Sequence, residues 1–428
     1  MTTGMAQFRP RSGAKGAVAI QHRRGTPQRP VVVRYLLAGI AVLVAATLSV
    51  TAIAVWSTAS HVASGVQLFD ADGNVAPPPS VGALEGGANI LLVGTDTRTG
   101  QGGEFDSEGQ QEGSSGVGSN DVTMVLHISA DNTNAAVISI PRDLEAPVPE
   151  CPDPDGGDPY SALDQAMFNT TLSRGGLSCV VLTAEQLTGL NIEYAATIDF
   201  NGVIKMSDAV GGVTVCLASA VDDDSANLHL AAGEQTLSGE QALGFVRTRY
   251  GVGDGSDLGR ISNQQVFLSA LLRQITSQGV LTNPATLYKL ADAAVSSIHA
   301  SPSLASPTSL VSIALALQKV SLGNIVFLQY PTVEDPDDPN RVIVDQYGAD
   351  SLISALASGA PLQLTGTLGV GAVEGTPAEP EAPSTEAPST DAPSTADPTA
   401  PVVAPPVALP PNISGQSAAQ ATCTKANE

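Results

Sequence analysis

Positive charge is what this chain has least of: across 428 residues, 19 Lys and Arg stand against 42 Asp and Glu, a formal net charge of −23. Nucleic-acid binding needs a basic surface to answer phosphate, so that class of partner is excluded. Charged residues of either sign make up only 14% and hydrophobic residues 43%, so most of the chain can fold around a core. Acids are missing altogether before Asp70, where seven bases lie: Arg9, Arg11, Lys15, Arg23, Arg24, Arg29 and Arg34. The remainder holds twelve bases against 42 acids, a balance of −30, and a split so sharp places the two parts in different compartments. Several motifs are also missing. The Gly-rich stretch 100–118 has no G-K-[ST] ending and is no P-loop, and there is no G-x-S-x-G or H-E-x-x-H. The acidic runs 222–224 and 334–338 lack EF-hand spacing and read as solvated loops, while His127, inside an apolar strand, reads as a core residue.

The longest uncharged apolar run, 35–56 (YLLAGIAVLVAATLSVTAIAVW), has Tyr35 and Trp56 at its ends. As a helix rising about 1.5 Å per residue it spans the roughly 30 Å hydrocarbon core of a bilayer. The bases all precede it, so the positive-inside rule puts 1–34 in the cytoplasm and everything after the helix outside, with the chain held in the cell membrane by a single pass. A cleaved signal peptide is the competing reading, but the run is longer than a signal's apolar region and its basic leader is long. The four cysteines, Cys151, Cys179, Cys216 and Cys423, lie in the exported part, where disulfides persist. None are spaced as a C-x₂₋₄-C zinc half-site, and the three possible pairings stay open.

The exported chain divides into a Pro/Gly-rich stalk to residue 87, a folded region from 88 to 300, an extension from 301 to 368 packed on it, a Pro/Ser/Thr repeat linker from 369 to 411, and a short segment, 412–428, whose Cys423 ties the terminus back. Within the folded region, strand patterns at 89–94, 122–128, 135–140, 194–200 and 213–217 alternate with helical patterns at 184–188, 201–210 and 260–278. The extension adds a strand at 324–329 and a helix at 348–357. This alternation argues an α/β fold with helices covering a central sheet. Ser238 and Gln241 have capping-box spacing.

With cations so few, each arginine invites a role. Arg98 and Arg142 follow apparent strand ends, where open α/β sheets place ligands. Arg247 and Arg249, in FVRTRY, are expected on an extended segment with both guanidinium groups on one side. Asp257 and Arg260 open a helix that carries Gln264 one turn later. Arginine forks match phosphate oxygens, so the set points to a phosphorylated or pyrophosphorylated ligand, with Asp96 and Asp121 available to hold magnesium on it.

The blocks 89–98 (NILLVGTDTR), 120–128 (NDVTMVLHI), 137–143 (VISIPRD), 185–189 (EQLTG), 211–217 (GGVTVCL), 239–250 (GEQALGFVRTRY) and 257–265 (DLGRISNQQ) together resemble the LytR-CpsA-Psr family. The resemblance implies an α/β/α sandwich with a central mixed sheet and an apolar lipid channel. It also implies an enzyme that transfers a glycopolymer from a polyprenyl-diphosphate carrier to peptidoglycan through a phosphodiester. On that basis Asp96 and Asp121 hold the metal (magnesium, with manganese a substitute), and Arg142, Arg247 and Arg249 clamp the phosphates. Arg98, Asp257, Arg260 and Gln264 assist binding. Ser119 and Asn263 depart from the family pattern, standing where many members carry Arg. A pyrophosphatase and a silent wall-binding scaffold are the alternative readings. A DNA-binding attenuator is disfavoured, because the 34-residue basic leader leaves no room for a helix-turn-helix.

Overall fold

The apolar run Ala88–Thr95 is buried on both faces: Leu91 and Val93 enter one hydrophobic core, and Ala88 and Ile90 another. A strand that reads as continuously apolar belongs in the middle of a covered sheet, and here it does. The computed structural model describes residues 68, 86–99, 116–277, 298–305, 307–375 and 405–427, all within one unit, Ser57–Glu428. The expected cytoplasmic tail, the span 35–56, most of the stalk and the middle of the linker lie outside the described residues. Among the described residues no helix is long and apolar enough to cross a membrane.

The central sheet has seven strands in the order Ile298–Ala300, Tyr194–Ile198, Ala88–Thr95, Asn120–Ile128, Ala135–Ile140, Ile325–Gln329 and Gly415–Ser417. The three middle strands form an antiparallel meander; Tyr194–Ile198 and Ile325–Gln329 run parallel to its outer members, which makes the sheet mixed. Helices Thr171–Thr188 and Gln346–Ala357 cover one face through Leu177, Val180, Leu187, Leu352 and Leu356. The other face packs on Leu268 and Leu272 of helix Asp257–Ser277, and on Ala316 of helix Pro307–Lys319.

Three expectations need correction. Residues 301–368 are not an extension packed on a finished domain, because Ile325–Gln329 is an interior strand of the central sheet. The described ends of the expected linker are also strands: Ala372–Glu374 pairs with Thr422–Thr424, and Val407–Ala408 with Leu362–Gln363. Both errors arise from pairing across long sequence separations, which leaves no local pattern. Finally, Ser238 precedes helix Gly239–Arg247 but its side chain makes no capping bond; the first amide, Gly239 N, donates to Ser207 Oγ instead.

Two disulfides, Cys151–Cys179 and Cys216–Cys423, close the cysteine pairing, and the second ties the carboxyl terminus to the body. Helix Thr171–Thr188 breaks at Gly175 and Gly176, beside the first bridge. A Cβ on Gly175 would lie 2.8 Å from the Cβ atoms of both Cys151 and Cys179, so only glycine lets the bridge sit there. Replacing Cys151 and Cys179 together by alanine is expected to lower unfolding free energy by about 2–4 kcal/mol. Denaturant titration checks this, and an unchanged midpoint would mean the bridge constrains nothing the fold does not already hold.

Candidate active site

At the ends of Ala88–Thr95 and Asn120–Ile128 the chain opens a cavity of about 160 Å³. Its lining combines apolar side chains, Val122, Ile198, Phe200, Val203, Leu243 and Val246, with polar ones, Asp121, Arg247, Arg260 and Gln264. Phe200 starts the helix Phe200–Ala209 and does not end the preceding strand as expected, because Asp199 caps the helix by accepting from Gly202 N at 2.8 Å. At the apolar end Phe200, Val203, Ile204 and Leu243 pack together.

Arg142 ties the polar part of the lining to the residues behind it. Its Nη1 donates to Asp121 Oδ1 at 2.5 Å and its Nε to Asp143 Oδ1 at 3.2 Å, while its backbone N donates to Asp257 Oδ2 at 3.0 Å. Burial works against the Arg142 charge, but Asp121, Asp143 and Asp257 outweigh it and hold its pKa above the ordinary value. The Asp121 pKa is raised as well, but here against its charge: burial raises it despite Arg142 and Arg260, and the nearby Asp96 and Asp257 add to the rise. Arg260 donates through Nη2 to Asp257 Oδ1 at 2.5 Å and to the Asp121 carbonyl at 2.8 Å, with both members of the Arg260–Asp257 pair buried. Asp96 Oδ1 accepts from Ser119 N at 2.7 Å. The loop reaches it through Gly118, whose φ of +71° and missing Cβ leave room beside that carboxylate.

Arg247 and Arg249 do not sit on an extended segment. Gly239–Arg247 is a helix because Ala242, Leu243 and Phe245 bury at helical spacing, with the Phe245 and Phe267 ring centroids 6.0 Å apart. This packing overrides the strand preference of FVRTRY. The two arginines consequently take separate partners. Arg249 donates to the Gly255 carbonyl at 3.1 Å and lies 3.6 Å from Asp143. Arg247 stacks its guanidinium 4.3 Å over the Phe200 ring and, among the described residues, makes no ion pair or hydrogen bond. Burial lowers its pKa, and the charges of Arg98 and Arg260 lower it further against the pull of Asp121 and Asp96. Such a cation, desolvated among other cations, is best answered by an anion from outside.

Every residue singled out in the sequence thus falls in or beside one cluster: Asp121, Arg247, Arg260 and Gln264 line the cavity, Arg142 and Asp257 bond to its wall, and Arg249 joins through Asp143. The charges of Asp96 and Arg98 act on Asp121 and Arg247 respectively. Sequence reading missed Asp143, which is buried and meets Arg142, Arg249 and Arg341 within 4 Å. Its place directly after Arg142 was the available signal; Arg341, arriving from the far side of the chain, had none. Asn263 is wholly buried with both polar atoms engaged by protein, so the departure at this position does not leave a gap in the cavity wall. Asp121 lines the cavity and Asp96 is near enough for its charge to act on it; two such carboxylates are oxygen donors of the kind magnesium takes, one or two at a time, with water and phosphate completing its shell.

A model of the LytR_cpsA_psr family matches residues 60–356. The chain belongs to this family. Similar proteins include the probable cell wall biosynthesis protein LcpB of Corynebacterium glutamicum, 36% identical over 283 residues, 66% of this chain and 64% of that one. Another is the polyisoprenyl-teichoic acid–peptidoglycan teichoic acid transferase TagV of Bacillus subtilis, 28% identical over 216 residues and 49% of each chain. The chain spans about half to two thirds of the length of the curated relatives it matches. The crystal structure of protein gbs0355 from Streptococcus agalactiae matches with a TM-score of 0.50 at 20% identity, covering 66% of this chain and 91% of that one, which shows a common mixed α/β fold.

Proposed function

We propose that this LytR_cpsA_psr protein is a membrane-anchored phosphotransferase that moves a glycopolymer from a polyprenyl-diphosphate carrier to peptidoglycan through a phosphodiester bond. The observation that carries the reading is the mixed cavity lining, apolar at Phe200, Val203 and Leu243 and cationic at Arg247 and Arg260, which matches a ligand whose lipid chain meets a diphosphate. The transferase name borne by TagV supports it. The lipid is accommodated between helices Phe200–Ala209 and Gly239–Arg247. The span 35–56 anchors the chain in the cell membrane, with 1–34 in the cytoplasm and the cavity outside.

In the reaction, a sugar hydroxyl of peptidoglycan attacks the phosphorus that bears the glycan. The bond from that phosphorus to the bridging oxygen breaks, polyprenyl phosphate leaves, and the hydroxyl proton is released. Arg247 and Arg142 meet the charge that builds on the phosphates, where preorganised donors have their largest effect. Phe200 keeps the Arg247 guanidinium in one plane and excludes water from one side of it. Arg249 is held through Asp143 at the outer edge. Asp96 and Asp121 would hold magnesium, or manganese in its place, which when bound neutralises the diphosphate.

The full chain in detergent, given a short glycan-diphosphate-polyprenol and peptidoglycan oligomers, is expected to release polyprenyl phosphate. Chelation should slow this by roughly tenfold or more, and magnesium should restore it. Release without any glycan on the oligomer would favour a pyrophosphatase. Lipid binding with no release at all would leave a scaffold.

A further inference from the structure

Arg247 is the last residue of its helix, and a helix leaves its final carbonyls without intrahelical partners. Here two of them, those of Phe245 and Val246, are taken by consecutive side chains of the long helix Asp257–Ser277. Asn263 Nδ2 donates to the Phe245 carbonyl at 2.5 Å, and Gln264 Nε2 to the Val246 carbonyl at 2.9 Å. The turn that presents Arg247 is therefore fixed by Asn263 and Gln264. Asn263 is itself held from behind: its Oδ1 accepts from Thr424 Oγ1 at 2.7 Å, with both residues fully buried. The amide can serve both partners in one orientation only, since a carbonyl demands a donor and the hydroxyl then finds the oxygen.

Thr424 belongs to strand Thr422–Thr424, which runs parallel to Val213–Leu217 and is pinned there by the Cys216–Cys423 bridge. Its own backbone carbonyl accepts from Ala218 N at 2.9 Å, so the strand cannot shift without losing several bonds together. The region matched by the family ends at residue 356, well short of this strand.

Resting on the proposed phosphotransferase reading, we propose that Thr424 is a positioning residue for Arg247, acting through Asn263, so that the carboxyl-terminal strand completes the diphosphate site. Thr424 touches no substrate. It orients the amide that caps the helix carrying the phosphate-facing arginine.

The test is a double-mutant cycle on the full chain in detergent, pairing Thr424→Val with Arg247→Ala. It is read on polyprenyl phosphate release from a glycan-diphosphate-polyprenol, and separately on calorimetric binding of inorganic diphosphate. Thr424→Val keeps the shape and removes the donor. It is expected to lower kcat about tenfold with a smaller change in KM, and to weaken diphosphate binding, by orphaning Asn263 Oδ1. Thr424→Ser, which keeps the hydroxyl, restores both. In the Arg247→Ala background Thr424→Val should add less than about twofold, because the residue it positions is gone. Equal losses in both backgrounds would overturn the proposal and leave Thr424 a general packing residue, as would diphosphate binding that no variant alters. If the wild type binds diphosphate with this coupling and yet turns over no donor, the positioning role stands and the transferase reading fails.

Discussion

Replacing Arg142 by alanine is expected to lower glycopolymer transfer by about 10²–10³-fold, the loss seen when a preorganised donor is removed from a developing anion. The geometry adds a second reason. Among the described residues Arg142 alone bridges Asp121 to Asp143, through Nη1 and Nε, and both carboxylates are substantially enclosed. Without it, Asp121 loses the strongest charge opposing its burial, and its carboxyl holds a proton more firmly still. Arg142→Lys keeps the charge but replaces the separately placed Nη1 and Nε donors by one compact ammonium, so it should fall between wild type and alanine. Initial rates of polyprenyl phosphate release check the series. A drop of less than about fivefold in the alanine variant would place the phosphates elsewhere in the cluster.

The largest stability effect should come from Arg260→Ala. Arg260 and Asp257 are buried as a pair, and Asp257 also accepts the backbone N of Arg142. Removing the cation strands a carboxylate in a dry setting, which costs about 3–5 kcal/mol and lowers Tm by roughly 5–10 °C. The double variant Arg260→Met with Asp257→Asn removes both charges while keeping an oxygen for the Arg142 amide. It should recover at least half of the loss, because a neutral pair carries no desolvation penalty. Calorimetric unfolding separates the two, and a double variant no more stable than Arg260→Ala would show that the pair is held for hydrogen bonding and not for charge balance.

The strands that form the meander were readable because each is a short apolar run closed by a turn, and Ala135–Ile140 and Val213–Leu217 fall where the pattern puts them. What could not be read was pairing at a distance. Ile325–Gln329 reads as an apolar strand, but nothing in its sequence tells that its neighbours are Ala135–Ile140 and Gly415–Ser417. The candidate site shows the same division. Arg142, Arg247 and Arg260 stand out in a chain with so few cations, and they converge on one cavity. At Arg247 and Arg249 the local preference of Phe245 and Val246 is for a strand, whereas the structure has a helix up to Arg247 because Phe245 is claimed by Phe267 from the next helix. Asn263 looked like a missing cation until its neighbours were known. Its environment depends on Thr424, some 160 residues away in the sequence.

In the proposed reaction a phosphate-linked glycan passes from the lipid to the wall. The most direct measurement is mass spectrometry of peptidoglycan oligomers after incubation with the full chain, magnesium and a glycan-diphosphate-polyprenol. An oligomer heavier by one glycan-phosphate is expected, absent with a chelator and at least about a hundredfold weaker with Arg142→Ala, in line with the effect of removing a preorganised donor. Release of polyprenyl phosphate with the oligomers unmodified, under conditions in which a known acceptor hydroxyl is present, would contradict it.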